Sequence, residues 1–291
     1  MGAADFGLLA ARALSYGALL LAAGLPIYLL TTARALSNRS RLVLALLALI
    51  AMAASVWLAL ASVATMAAME LGQLDRELVT AVLSATPLGM VLTIRLVALF
   101  LLMLALLAAP ARWRLWLAAL AGSAALVGGV LTGHAGATAD SLGTLHRFAD
   151  GAHLLAAATW LAALTVFIAS LLRKAPADRL AMDLAGFAST GTLIVVVLTI
   201  TGVINTVAIT GWPVPPAIYG SGWTGLLAAK LALFAAMLGF AALNRWKLTP
   251  ALAHGGAAAL HRLRLSLGAE AAAGVAIILL ISQMGLLDPA G

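Results

Sequence analysis

The residues best placed to do chemistry in this chain are Gly133-His134-Ala135 and, after a short polar stretch, Asp150-Gly151-Ala152-His153. Imidazole is the commonest side-chain metal ligand. A carboxylate one helical turn from the ring, as in Asp150-x-x-His153, can orient it from the outside. Both histidines border long apolar runs, where an ionisable group costs about 2.5–3.5 kcal/mol and needs a partner or a task. Two imidazoles converging at one membrane face point to metal chemistry, with copper first and haem iron as its rival. The chain has no cysteine. Disulfides and thiolate sites are therefore excluded, and any metal is held by His, Met, carboxylate, amide or backbone oxygen.

Other groups join the candidate site by type. Thioethers suit Cu(I), which brings in Met66, Met69, Met90 and Met284, although filling gaps in an apolar core accounts for any one of them. Met66 and Met69 are three apart and on a helix would share a face. Arg95 and Lys230 would suit the propionates of a bis-histidine haem b. Next to a metal cation they would need Asp150 to offset them, and Asp150 could instead pair with Arg95 or Arg147. Asn205 and Gln283 read as interhelical hydrogen bonds. Glu270 stands apart, fit for an inner gate or for pairing with Arg262 or a neighbouring helix. His146 reads as a solvated loop residue or a first ligand on approach, and His254 and His261 as solvated.

These groups must be positioned by membrane helices. The chain is 64% hydrophobic and 9% charged, with a mean hydropathy of +1.11. Eight apolar runs, roughly 8–32, 42–67, 87–108, 115–134, 148–171, 184–209, 225–245 and 265–286, are each long enough to cross a bilayer. The expected fold is all-α: a polytopic membrane protein, one domain over 1–291, built as an eight-helix transmembrane bundle. The first run has Asp5 where a signal peptide carries basic residues, and reads as a retained helix. The net charge of +7 reports orientation rather than nucleic-acid binding. Arg34, Arg39, Arg41, Arg112, Arg114, Arg173, Lys174, Arg179, Arg245, Lys247, Arg262 and Arg264 all fall at one end of the spans. By the positive-inside rule that end is cytoplasmic. Both termini and both site histidines then face outward.

Three short matches pair the first part of the chain with the second: the segments after Arg12 and Arg147, after Arg95 and Lys230, and after Arg112 and Arg262. They are compatible with two parallel four-helix halves, 1–140 and 145–291, and equally with chance in Ala/Leu-rich sequence. The position matching His153 is Leu19, so a duplication would have left one site rather than two.

Gly133-His134-Ala135, Asp150-x-x-His153 with Trp160-Leu161, Phe187-Ala188-Ser189, Thr201-Gly202 with Asn205, Tyr219-Gly220, and Lys230 followed by Asn244-Arg245 form an ordered set. That set resembles the CopD/PcoD family of copper-resistance inner-membrane proteins, most strongly from about 130 to 250. Ala162-Ala163 stands where that family tends to carry Gly-Gly. The resemblance implies copper uptake from periplasm toward cytoplasm at the inner membrane, with a CopC-like periplasmic carrier as partner. It also implies His134 and His153 as ligands with Asp150 in support.

Three readings follow. The first is a copper-binding permease, not an enzyme, with no P-loop or other visible means of using ATP. The second is a bis-histidine haem-b electron carrier acting as a periplasm-facing reductase. The third is an assembly subunit with no ligand, against which the clustered polar groups argue.

Overall fold

The computed structural model describes residues 3–107, 112–138, 140–253 and 257–287. Among them the chain is helical throughout, with no strand: α1 (Ala3–Thr31), α2 (Asn38–Met66), α3 (Arg76–Ala85), α4 (Pro87–Leu107), α5 (Arg112–Val127), α6 (His134–Ala137), α7 (Asp140–Leu172), α8 (Ala177–Thr210), α9 (Gly222–Leu243), α10 (Thr249–Ala253) and α11 (Ala257–Met284). A bilayer interior has no water to satisfy backbone polar groups, so apolar segments of this length close their hydrogen bonds within the helix. Eight helices are long and apolar enough to span, and they match the eight runs read from the sequence. Twelve of the seventeen basic residues gather at one end of the bundle, here the basic end. The far end holds the starts of α1, α4, α7 and α9 and the finishes of α2, α5, α8 and α11.

The helix ends follow local chemistry. Ser37, Asp75 and Ser221 cap α2, α3 and α9 by accepting from the backbone N–H three residues on. After α5 the chain tightens into a 3-10 turn, Gly128–Leu131. It then reverses at Gly133, whose φ of 85° lies in the left-handed region that glycine tolerates best. Past α6, helix α7 begins at Asp140, whereas the hydropathy pattern starts that run near 148. The first two turns carry polar residues, and the local helix continues through them.

Small residues set the core. Helix α1 sits at the centre against α2, α5, α7 and α11. Gly24 of α1 lies so close to α7 that a Cβ there would run into the Ala158 carbonyl and the Ala162 methyl. Ala158, Ala162 and Ala163 are fully buried, so the Ala-Ala step at 162–163 supports close packing. Tyr28, Phe167 and Phe187 form an edge-on aromatic cluster toward the basic end. There Arg34 also pairs with Asp183 of α8. Helices α8 and α9 bury the least surface of the eight.

Candidate functional site

Helix α7 carries one polar face. His146, Asp150 and His153, at i, i+4 and i+7, lie in line along it, and Trp160 continues the line seven residues on. Because the helix starts at Asp140, His153 sits well inside the span rather than at its mouth, about 16 Å along the helix from Leu142.

His153 is held by α8. Thr201 Oγ1–H donates to the Val197 carbonyl at 2.6 Å, which leaves its oxygen as the acceptor for His153 Nδ1–H at 2.9 Å. A ring that donates from Nδ1 carries its lone pair on Nε2, the form in which neutral imidazole binds a metal. The Leu198 carbonyl is a further hydrogen-bond partner of the ring. Gly202, one residue further along α8, faces the ring's Cε1 and adds no side chain there.

Asp150 does not contact His153 as a carboxylate support. Asn205 Nδ2–H donates to Asp150 Oδ1 at 3.2 Å, joining α7 to α8 as an interhelical hydrogen bond. The Asn205 Oδ1 is buried without a partner. Lys230 of α9 is the charged neighbour of both Asp150 and His153. No ion pair joins it to Asp150 among the described residues. Arg147 turns to Thr144 instead.

The other candidates separate. His134 opens the four-residue helix α6, which packs against α7 and α8; its side chain lies outside the described residues. Arg95 is buried on α4 next to Arg12 and Tyr16 of α1, away from Lys230's neighbours. A single propionate-binding pair made of Arg95 and Lys230 is therefore not formed. Met66 ends α2, and Ala68 turns the chain with φ of 52°, so Met66 and Met69 do not share a helix face. Met66, Met69 and Met90 are exposed, whereas Met284 is buried at the far end of α11. Among the described residues no three His, Asp or Glu side chains come close enough to form a metal cluster. Glu270 meets neighbouring helices, through Trp160 and Asn244, and not Arg262.

Sequence reasoning misplaced His146, and it named Thr201 in the ordered set without giving it a role. His146 is 1% exposed, on α7, with Nδ1 at 2.9 Å from Thr138 Oγ1. Its spacing to Asp150 and His153 was the available signal. His254 lies outside the described residues.

With this geometry in place, two family descriptions match the chain. Copper resistance protein D matches residues 181–284, and the Copper resistance protein D-like N-terminal domain matches residues 3–144. Asp150 and His153 fall between these two stretches. A protein of Pseudomonas syringae pv. tomato described as Copper resistance protein D is 32% identical over 186 residues, covering 60% of this chain and 59% of that protein. The chain thus spans less than two thirds of that relative's length. No solved structure matches.

Proposed function

We propose that this chain, which belongs to the copper resistance protein D family, binds copper at the far end of its helix bundle and passes it inward as cargo. The observation that carries this reading is the His153–Thr201–Val197 relay, which presents Nε2 as a ready ligand inside a membrane span. His134 supplies the second imidazole from α6, and His146 stands one turn outward from Asp150 on the approach. Met284 is the buried thioether at the same end. Met66, Met69 and Met90 have no part in the site.

Asp150, Asn205 and Lys230 fix the electrostatics. The carboxylate balances the ammonium, so the incoming cation meets no net repulsion. In this reading the far end is periplasmic, a CopC-like carrier delivers copper there, and the chain lies in the bacterial inner membrane. The net direction is toward the cytoplasm.

The test is copper binding by the detergent-purified protein against a chelator of known affinity, with an absorption spectrum of the same sample before and after dithionite. A colourless protein that holds copper through His134 and His153 supports the reading. Uptake into liposomes then tests movement. A Soret band that sharpens on reduction, and disappears in His153→Ala, overturns the reading in favour of a haem-b electron carrier.

A further inference from the structure

Glu270 lies close to the middle of its span, about 18 Å along the helix from Ala258. It is 2% exposed. Both carboxylate oxygens are held by neutral donors: Trp160 Nε1–H gives to Oε1 at 3.2 Å and Asn244 Nδ2–H to Oε2 at 2.8 Å. No Lys, Arg or His side chain forms an ion pair with it among the described residues. A carboxylate so placed is costly unless a cation or a proton joins it.

The surroundings provide room and further oxygen atoms. Glu270 and Asn244 line a cavity of about 430 Å³ between α8 and α9, floored by α7 and α11. Asn244 is 5% exposed, yet its Oδ1 has no partner. Asn244 opens a π-helical turn, Asn244–Leu248, an irregularity that is frequent at functional sites.

These groups are hard oxygen donors. Soft Cu(I) prefers thioether or imidazole, so copper itself is poorly matched here. We propose that the Glu270–Asn244 cavity binds a small hard cation, a proton or an alkali ion, separately from the histidine site. It lies on the same polar line of α7, since Trp160 is seven residues from His153. If copper moves through this bundle, exchange of this second cation supplies a drive for it. That last step rests on the copper reading, whereas the binding itself does not.

Few charged or titratable groups face Glu270. Helix α7 offers Trp160, and α8 offers Thr192. The π turn offers Asn244 and Arg245, whose guanidinium is turned to Thr192 Oγ1 and the Ala188 carbonyl. Helix α10 offers Thr249. Tyr28 of α1 stands behind Phe167 and Phe187 in the wall. Lys247 and Arg262 line a separate cleft with Ser266.

The test is infrared difference spectroscopy on the full chain, free of copper, in lipid vesicles and carrying ¹³C-carboxyl glutamate. The chain has three glutamates, and Glu70 and Glu77 are both exposed, so a carboxyl signal from apolar surroundings is Glu270's. The expected result is a protonated-carboxyl band that shifts with the label, disappears as pH rises without alkali ions, and is absent in Glu270→Gln. A carboxylate band that moves when Na⁺ or K⁺ is added at fixed pH identifies an alkali ion instead. A Glu270 signal that responds to neither ion overturns the proposal and makes the cluster a helix clamp. The label keeps the test valid should Glu270→Gln fail to fold. Because no copper is present, failure here leaves the histidine reading standing, and failure of copper binding leaves this one standing.

Discussion

At the scale of single residues, His153 owes its competence to Thr201. Replacing His153 by Ala removes the ligand and is expected to abolish tight copper binding. Thr201→Val is the sharper probe, since it keeps the shape and removes only the oxygen that accepts from Nδ1. The ring can then rotate or protonate at Nε2, and supporting hydrogen bonds of this kind are worth about 10–100-fold in metal affinity. A chelator competition should show that loss with the melting temperature nearly unchanged; unaltered affinity in Thr201→Val would mean the relay does not set the tautomer. His153 itself was visible in the sequence because an ionisable residue in an apolar run needs explaining. The role of Thr201 was not, because a threonine there reads as a helix residue bonding back to the fourth carbonyl before it, as Thr199 and Thr206 do. Asp150 was visible as a charge but misread in role. Its partner, Asn205, lies 55 residues on, and only the approach of α7 to α8 brings the two together.

At the scale of helices, the sequence carries lengths well and faces poorly. In a soluble helix the apolar stripe marks the buried side; in a bilayer the lipid-facing side is just as apolar, so the stripe vanishes. What remains is the distribution of small residues, and Gly24 shows how it acts. Glycine in a helix interior is about 1 kcal/mol worse than alanine, so adding a side chain would help if there were room. At Gly24 there is none: the obstacle is the Ala158 backbone carbonyl, which cannot swing away like a flexible side chain. Forcing α1 from α7 costs roughly 1–3 kcal/mol for overpacking, and this exceeds the propensity gain. Gly24→Val is therefore expected to lower the thermal unfolding midpoint in detergent. Gly17→Ala, on the same helix with open space where the Cβ would go, should raise it slightly. If both variants shift the same way, close α1–α7 contact is not what holds the centre of the bundle. The boundary of α7 illustrates the opposite failure. Residues 140–147 precede the apolar run read from the sequence, yet they are helical, and that extension buries His146 instead of leaving it in a loop.

At the scale of the whole molecule, the distribution of charge decides which way the histidine site faces. Arginine and lysine are the residues the translocation machinery retains, and here they cluster between α1 and α2, α4 and α5, α7 and α8, and around α10. The opposite connections, 67–86, 132–141 and 211–221, carry one basic residue among them, Arg76. In the proposed orientation His153, Asp150 and Lys230 lie in the half nearer the periplasm and Arg245 near the cytoplasm. A metal taken from outside would then meet soft imidazole first, and the hard Glu270 site only deeper in. If the molecule sat the other way round, the same side chains would describe export, so orientation fixes the sense of the whole reading. The absence of cysteine makes the check direct. Gly72→Cys, in the exposed turn after α2 with open space for a side chain, should react with a membrane-impermeant maleimide in intact cells. Arg173→Cys, exposed between α7 and α8, should react only once the membrane is opened. The reverse pattern would turn the bundle over and, with it, the direction of copper movement.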